Sequence, residues 1–133
     1  MTILLVEDHR PTREAMHALI EEQPDMHVVA EAISGEEAVD RARELCPEII
    51  VMDILMPGMN GVEATRAICD AQPEIKILAL SNHFGASLVQ AILDAGGRGY
   101  VQKSRAFEEL IPALRSVAEG KQYVCQRFPE PTP

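Results

Sequence analysis

The segment Ile49–Gly61, I-I-V-M-D-I-L-M-P-G-M-N-G, decides how the rest of the chain is interpreted. It opens with four apolar residues, a pattern typical of a strand buried on both faces of a parallel sheet. Asp53 follows as the first charged residue, at the point where this strand leaves the core. Pro57 and Gly58 then predict a loop, because proline fixes its own backbone and glycine permits conformations that other residues resist. Ligands of open α/β sheets bind outside the carboxyl ends of strands, so Asp53 is the leading candidate for a reacting group.

The length and composition of the chain indicate one globular domain with a sizeable core. The 133 residues are 47% hydrophobic, and the formal net charge is −9. This charge argues against direct binding of nucleic acid or of an anionic membrane. No apolar segment approaches the roughly 20 residues of a membrane span, and the N-terminus lacks the features of a signal peptide. The three cysteines lack metal-ligand spacing and are interpreted as reduced thiols, so we expect a cytoplasmic protein.

Strands and helices are predicted to alternate along the chain. Apolar runs predict five strands, at Ile3–Val6, His27–Ala32, Ile49–Met52, Ile75–Leu80 and Gly99–Val101. Periodic apolar positions predict five helices, at Thr12–Glu22, Ser34–Cys46, Val62–Ala71, Ala86–Ala95 and Ser104–Ala118. Such alternation predicts a three-layer, flavodoxin-like (βα)5 fold of the α/β class. Its five-stranded parallel sheet has the expected order 2-1-3-4-5.

Local signals refine the ends of these elements. Ser34 and Asn60, each followed by glutamate three residues later, fit the pattern of a helix cap, and Ser104 is a candidate cap for the last helix. Pro112 lies inside that helix and is expected to bend it or weaken its first half. Three prolines in the last five positions favour an extended end. We therefore predict a domain over residues 1–122 and a tail or interdomain linker over residues 123–133.

The predicted fold brings chemically distinctive residues to one edge of the sheet. Glu7 and Asp8 follow the first strand, beside Asp53, and Lys103 and Ser81 follow the fifth and fourth strands. Because three carboxylates repel one another, positive charge is expected among them. Lys103 supplies one charge, and Mg²⁺, which binds carboxylates, waters and phosphate oxygens, would supply the rest. An ionised aspartate with these neighbours has the groups needed to accept a phosphoryl group.

At this point the chain resembles a response-regulator receiver domain of two-component systems. It most resembles the subfamily, of the LuxR/FixJ type, that joins a receiver to a helix-turn-helix. The matching segments are L-L-V-E-D-H, V-M-D-I-L-M-P-G-M-N-G-V-E-A-T, L-A-L-S, G-Y-V-Q-K-S and L-R-S-V-A-E-G. Together they extend from Ile3 almost to Tyr123, and as an ordered set they are highly specific.

The resemblance implies a role for each matching position. Asp53 corresponds to the residue that accepts a phosphoryl group from the phosphohistidine of a sensor histidine kinase or from a small donor. Asp8, assisted by Glu7, corresponds to the Mg²⁺-binding acids, and the backbone carbonyl of Leu55 to a further ligand beside Asp53. Three other positions match the pairing lysine, the switch hydroxyl and the switch aromatic: Lys103, Ser81 and Tyr100. A homodimer formed through the first and fifth helices is expected by analogy alone.

Two positions depart from the commonest family pattern. Asn82 stands where a smaller residue is usual, and we hypothesise that it restricts water access and slows dephosphorylation. Ser104 stands where many relatives have proline, often after a cis bond, which would cost ~3 kcal/mol without proline. Ser81 replaces the more frequent threonine but keeps the hydroxyl group.

Several alternatives stay open at this stage. Ser81 could serve as a simple turn residue, and Tyr100 as a packing residue. A Mg²⁺-dependent phosphohydrolase of the haloacid-dehalogenase type is disfavoured, because its second acid would be needed where Leu55 stands. A flavin-binding module is disfavoured by the acidic loop after the first strand. We therefore expect a non-enzymatic switch that controls transcription through a DNA-binding domain absent from this chain, or a stand-alone receiver that acts by protein contact.

Overall fold

Six parallel strands form a single sheet in the computed structural model, which describes residues 1–55, 60–82 and 85–124. The strands are β1 (Thr2–Val6), β2 (His27–Ala32), β3 (Ile49–Asp53), β4 (Lys76–Ser81), β5 (Gly99–Gln102) and β6 (Tyr123–Val124). Their order is β2-β1-β3-β4-β5-β6. The predicted order of the first five strands is therefore confirmed, but the prediction of a five-stranded sheet is wrong. The sixth strand has two residues, too few to show a periodic pattern.

The helices lie close to their predicted positions. They are α1 (Arg10–Glu21), α2 (Gly35–Leu45), α3 (Gly61–Ala71), α4 (Ala86–Asp94) and α5 (Ala106–Ala118). Helix α1 begins two residues earlier than predicted, because Pro11 occupies its first turn, where a missing N–H costs nothing. The loop predicted at Pro57 and Gly58 lies outside the described residues.

Two of the three predicted caps are confirmed. The N–H of Glu37 donates to Ser34 Oγ at 3.1 Å, and that of Glu63 donates to Asn60 Oδ1 at 2.9 Å. These oxygens satisfy amide groups that have no partner inside the first turn of a helix. Helices α2 and α3 therefore start at positions fixed by local chemistry.

The start of the last helix differs from the prediction. Residues Lys103–Arg105 form a 3₁₀ turn, and α5 begins at Ala106 after Arg105, with no side-chain cap bond. The prediction that Ser104 caps this helix is therefore wrong. The described peptide bonds are all trans, so the idea of a cis bond before Ser104 is wrong as well. Helix α5 continues through Pro112, and the bend expected at this residue stays a prediction.

Two apolar cores lie on opposite faces of the sheet, because successive strand residues point to opposite sides. One core joins alternate strand residues, such as Leu4 and Ile50, to helices α2, α3 and α4. The other joins the intervening residues, such as Leu5 and Val51, to α1 and α5. This packing confirms the prediction of three layers. It also holds in place the strands whose carboxyl ends carry the candidate site.

Candidate functional site

The predicted polar residues lie at the carboxyl ends of four neighbouring strands. Glu7 and Asp8 follow β1, Asp53 ends β3, Ser81 ends β4, and Lys103 follows β5. The register pairs Val6 with Met52 and Asp53 with Leu80, so these strands end level with one another. The sheet therefore holds the side chains within one small region.

Lys103 lies between two buried carboxylates. Its Nζ is 2.8 Å from Glu7 Oε1 and 3.1 Å from Asp53 Oδ2. Glu7 is 0% exposed and Asp53 is 2% exposed, while the lysine side chain is 17% exposed. Because buried charges need partners, Lys103 offsets negative charge on the two acids, and the acids stabilise the charged form of Lys103. The predicted meeting of these three residues is what the structure shows.

Burial and pairing shift the titration of this cluster. Burial raises the pKa of Glu7, and the hydrogen bond from Lys103 offsets only part of that rise. Burial would lower the pKa of Lys103, but its hydrogen bonds and charge interactions with Glu7 and Asp53 outweigh this effect, so the pKa of the lysine is raised. Lys103 is therefore held as a cation over the pH range in which most proteins work.

The three acids have the composition of a site for a hard cation. One oxygen from each of Glu7, Asp8 and Asp53 lies within 4.8 Å of the others. Asp8 is exposed and opens the cluster to solvent, while the other two acids are buried. Glu7 Oε1 has its ion pair with Lys103 but no regular hydrogen bond among the described residues. Carboxylate oxygens with spare lone pairs are the ligands that Mg²⁺ prefers.

Local backbone groups hold two of the acids in place. The N–H of His9 donates to Glu7 Oε2 at 3.0 Å, and the N–H of Leu55 donates to Asp53 Oδ1 at 3.2 Å. Leu55 is 52% exposed, and its side chain offers no titratable group beside Asp53. The prediction that the Leu55 carbonyl binds a metal stays a prediction.

Ser81 and Tyr100 lie on adjacent strands behind the acids. Ser81 is 1% exposed at the end of β4, and Tyr100 is fully buried on β5. Tyr100 packs within the core that faces α3 and α4. The ring of Tyr100 thus points into the core in this structure. The role of Tyr100 in a switch stays a prediction.

Sequence reasoning missed one residue beside the site. The guanidinium of Arg13, on α1, donates from Nη1 to the backbone carbonyl of Glu7 at 3.0 Å. An arginine near the start of a helix that follows the acidic loop is a weak signal, because such residues are usually solvated. Only the folded structure shows that the Arg13 side chain contacts the backbone of Glu7.

The structure describes two of the three cysteines. Cys46 and Cys69 are free thiols, and Cys125 lies outside the described residues. None of the helices in the described part of the chain is both long and apolar enough to cross a membrane.

Comparisons with known proteins agree with this geometry. Residues 3–115 match the family model of the response regulator receiver domain. The chain is 38% identical over 122 residues to the transcriptional regulatory protein DegU of Brevibacillus brevis, covering 92% of this chain and 52% of that protein. It is 36% identical over 125 residues to the response regulator UvrY of Escherichia coli strain K12, covering 94% and 57%. The chain thus spans about half the length of these curated relatives.

A solved structure gives the same result. The chain superimposes with a TM-score of 0.88 on a LuxR-family two-component response regulator from Aurantimonas sp. SI85-9A1, at 39% identity, covering 92% of this chain and 87% of that one. The family match covers most of the chain, and the relatives agree with the expected subfamily. This chain therefore belongs to the response regulator receiver domain family and most resembles its LuxR-type members.

Proposed function

We propose that the domain is a phosphorylation-controlled switch in which Asp53 accepts a phosphoryl group. The observation that carries the proposal is the contact of Lys103 with Glu7 and Asp53, at 2.8 and 3.1 Å. This arrangement places a fixed cation beside a buried carboxylate at the edge of an open sheet. A transferring phosphoryl group develops negative charge on its oxygens, which such a cation stabilises.

The transfer needs little chemistry from the protein beyond positioning. A carboxylate oxygen of Asp53 forms a bond to phosphorus, and the bond from phosphorus to the donor breaks. The leaving group of the donor, such as the imidazole of a phosphohistidine, takes the electron pair of that broken bond. The Leu55 N–H bond to Oδ1 fixes the rotamer of the aspartate, and Lys103 pairs with the phosphoryl oxygens. Asp53 needs no general base, because the attacking group is a carboxylate oxygen and not a hydroxyl that must first lose a proton.

Glu7, Asp8 and Asp53 would hold Mg²⁺, together with the predicted backbone carbonyl of Leu55. The bound ion would neutralise charge on the phosphoryl oxygens and on the clustered acids. The chain's own contribution is a preformed set of oxygens with one member, Asp8, exposed to solvent.

Phosphorylation would alter the neighbouring hydroxyl and aromatic groups. A phosphoryl group adds about −1.5 to −2 charges and three strong acceptors. We propose that these attract Ser81 and Lys103 and that the inward position of Tyr100 is stabilised by the same movement. The surface of α4, β5 and α5 would then report the change to a partner.

The proposed partners follow from the family. A sensor histidine kinase would supply the phosphoryl group to this chain in the cytoplasm, and a DNA-binding domain outside this chain would carry the output. Curated relatives named as transcriptional regulators are about twice as long as the matched region, which supports this output. The alternative is a stand-alone receiver that acts by protein contact, and the coding sequence beyond Pro133 distinguishes the two. A homodimer through α1 and α5 is part of the proposal for the longer protein.

A phosphohydrolase is the weaker candidate. Such an enzyme needs a second acid two residues after the nucleophile to protonate the leaving group and activate water. Leu55 occupies this position, and its side chain cannot transfer a proton. We therefore propose a phosphoacceptor that turns over slowly rather than an enzyme with an external substrate.

The test is incubation of the chain with Mg²⁺ and a small acyl phosphate, followed by intact mass spectrometry. One phosphoryl group should be added to the wild-type chain and none to Asp53→Asn. Asp40→Asn is the matched control, because it removes an exposed carboxylate on α2, away from the cluster. Failure of both small donors and kinases to modify the folded chain would contradict the proposal.

A further inference from the structure

We infer that Arg13 is a positioning residue that orients the acid pair Glu7–Asp8 for cation binding. The inference deepens the proposed function and rests on it, since it concerns how the same site holds its divalent ion. It assigns a role to a residue on α1 that lies outside the cluster of acids. The role depends on a backbone contact rather than on direct contact with a ligand.

The Arg13 side chain links three parts of the fold. Its Nη1 donates to the carbonyl oxygen of Glu7 at 3.0 Å, and its Nε donates to Glu31 Oε1, on β2, at 3.1 Å. The side chain is only 15% exposed although it is charged. An arginine this well buried, with two of its three guanidinium nitrogens bonded, occupies a defined geometry.

The contacted carbonyl belongs to the peptide group that joins Glu7 to Asp8. Because a peptide group is planar, fixing its carbonyl fixes the direction in which the chain continues to Asp8. On the other side of the same residue, the Glu7 N–H donates to the carbonyl of Ala32 at 2.9 Å. The backbone of Glu7 is thus tied to β2 through one group and to α1 through the other.

Glu31, the partner of Arg13, has a second contact of its own. Glu31 Oε2, the second oxygen of its partner, lies 2.6 Å from Nδ1 of His17, one helical turn further along α1. Each oxygen of Glu31 therefore has its own partner. The contact of Glu31 with His17 restrains the carboxylate that Arg13 Nε contacts, and this restraint supports the position of the guanidinium beside the Glu7 carbonyl.

Charge and geometry predict opposite effects when Arg13 is removed. Loss of a positive charge beside three acids would, by Coulomb attraction alone, increase the affinity for a cation. Loss of a positioning contact would let the Glu7–Asp8 peptide rotate and would decrease that affinity, as removal of an outer partner does at other metal sites. Whether the cation affinity rises or falls when Arg13 is replaced therefore separates the charge effect from the positioning effect.

The experiment measures Mg²⁺ affinity of the unphosphorylated chain by titration with MgCl₂, followed through amide NMR shifts. The variants are Arg13→Gln and the matched control Arg10→Gln. Arg10 lies on the same helix, and its side chain is 76% exposed and pairs with Glu14. Replacing Arg10 therefore changes the net charge by the same amount as replacing Arg13 and leaves the Arg13 contact with the Glu7 carbonyl in place. Arg13→Lys and Arg10→Lys form a second pair in which the charge is kept.

We expect Arg13→Gln to bind Mg²⁺ about tenfold more weakly than Arg10→Gln, with Arg13→Lys in between. Equal or tighter binding by Arg13→Gln would overturn the inference and leave the proposed function intact. Failure of the wild-type chain to bind Mg²⁺ would instead contradict the proposed function and the inference with it. Should Arg13→Gln not fold, Arg13→Lys decides, because equal affinity in the two lysine variants overturns the inference and weaker binding by Arg13→Lys supports it.

Discussion

Glu7 is the buried acid whose ionisation the fold opposes most clearly. Burial raises its pKa, and the neighbouring charge of Asp53 acts in the same direction, against the partial compensation from Lys103. A carboxyl group with a raised pKa in the folded state stabilises the fold below its unfolded pKa of 4.5. That contribution is lost as the pH rises through the folded value. Above the folded pKa, the ionised Glu7 therefore lowers the free energy of unfolding relative to a neutral side chain at that position.

Substitution of Glu7 by glutamine tests this effect. Glu7→Gln keeps the acceptor for His9 N–H but removes the charge, so we expect a higher free energy of unfolding at pH 7. The advantage should shrink as the pH falls towards 4.5, where the wild-type side chain becomes protonated. Urea unfolding at both pH values measures the difference. A Glu7→Gln chain that is less stable than wild type at pH 7 would contradict this account.

Asn82 provides a test of the lifetime of the phosphorylated state. Its side chain is exposed and, with His9, Lys103 and Phe107, lines an open groove of about 600 Å³ next to the acids. We predict that Asn82→Ala admits water more freely and shortens the half-life of phosphorylated Asp53. Loss of the phosphoryl group, followed by intact mass after removal of the donor, measures that half-life. An unchanged rate would contradict the hypothesis that Asn82 shields the site.

At the scale of the elements, Gly61 ties helix α3 to β3, the strand that ends in Asp53. A Cβ atom at Gly61 would lie 2.6 Å from the Ile54 Cα and 2.7 Å from the Asp53 carbonyl oxygen. These are backbone atoms that cannot move without shifting Asp53. The Gly61 N–H also donates to the Ile54 carbonyl at 2.9 Å, so the close approach is part of the folded geometry.

We predict that Gly61→Ala lowers the free energy of unfolding by about 1–3 kcal/mol, the usual effect of overpacking. It should also slow phosphorylation of Asp53, because the strand end is displaced. Gly85→Ala is the matched control, since its Cβ would meet no atom within 4 Å. Chemical denaturation measures the stability of both variants. Equal stabilities of the two variants would show that the contact at Gly61 is relaxed at little cost.

The elements that sequence reasoning predicted well are those with strong local signals. The buried run before Asp53 and the caps at Ser34 and Asn60 depend on residues close in sequence, and the structure confirms them. The strand at Tyr123 and the 3₁₀ turn that contains Ser104 depend instead on distant partners. The contact between Arg13 and Glu7 is also visible only when β2 and α1 are placed beside the loop. Local chemistry therefore predicts most elements and the capped starts of α2 and α3, whereas the short strand β6 depends on tertiary contacts.

At the scale of the whole molecule, β6 extends the sheet beyond the five predicted strands. Tyr123 N–H donates to the Arg98 carbonyl at 3.1 Å, and the Tyr123 hydroxyl donates to Glu109 Oε1, on α5, at 2.9 Å. Val124 pairs with Tyr100, the proposed switch aromatic. Residues Tyr123 and Val124 thus contact both β5 and α5. The predicted domain boundary after residue 122 stays a prediction.

We predict that a chain ending at residue 124 is more stable than one ending at residue 122. The difference should be roughly 1–3 kcal/mol, the net effect of a few hydrogen bonds lost at a sheet edge. Urea unfolding of the two chains measures it, and Tyr123→Phe in the longer chain isolates the hydroxyl contact with Glu109. Identical midpoints for the two lengths would place the end of the folded unit at residue 122.

The whole molecule brings its charged strand ends together for one proposed event, the phosphorylation of Asp53. The most direct test is to phosphorylate the chain with Mg²⁺ and an acyl phosphate, reduce the acyl phosphate with borohydride, and map the reduced residue by peptide mass spectrometry. Reduction should convert Asp53 alone, within the peptide that contains Ile49–Asp53. Reduction at Asp8, or at no residue of a fully folded chain, would contradict the assignment of Asp53 as the phosphoacceptor.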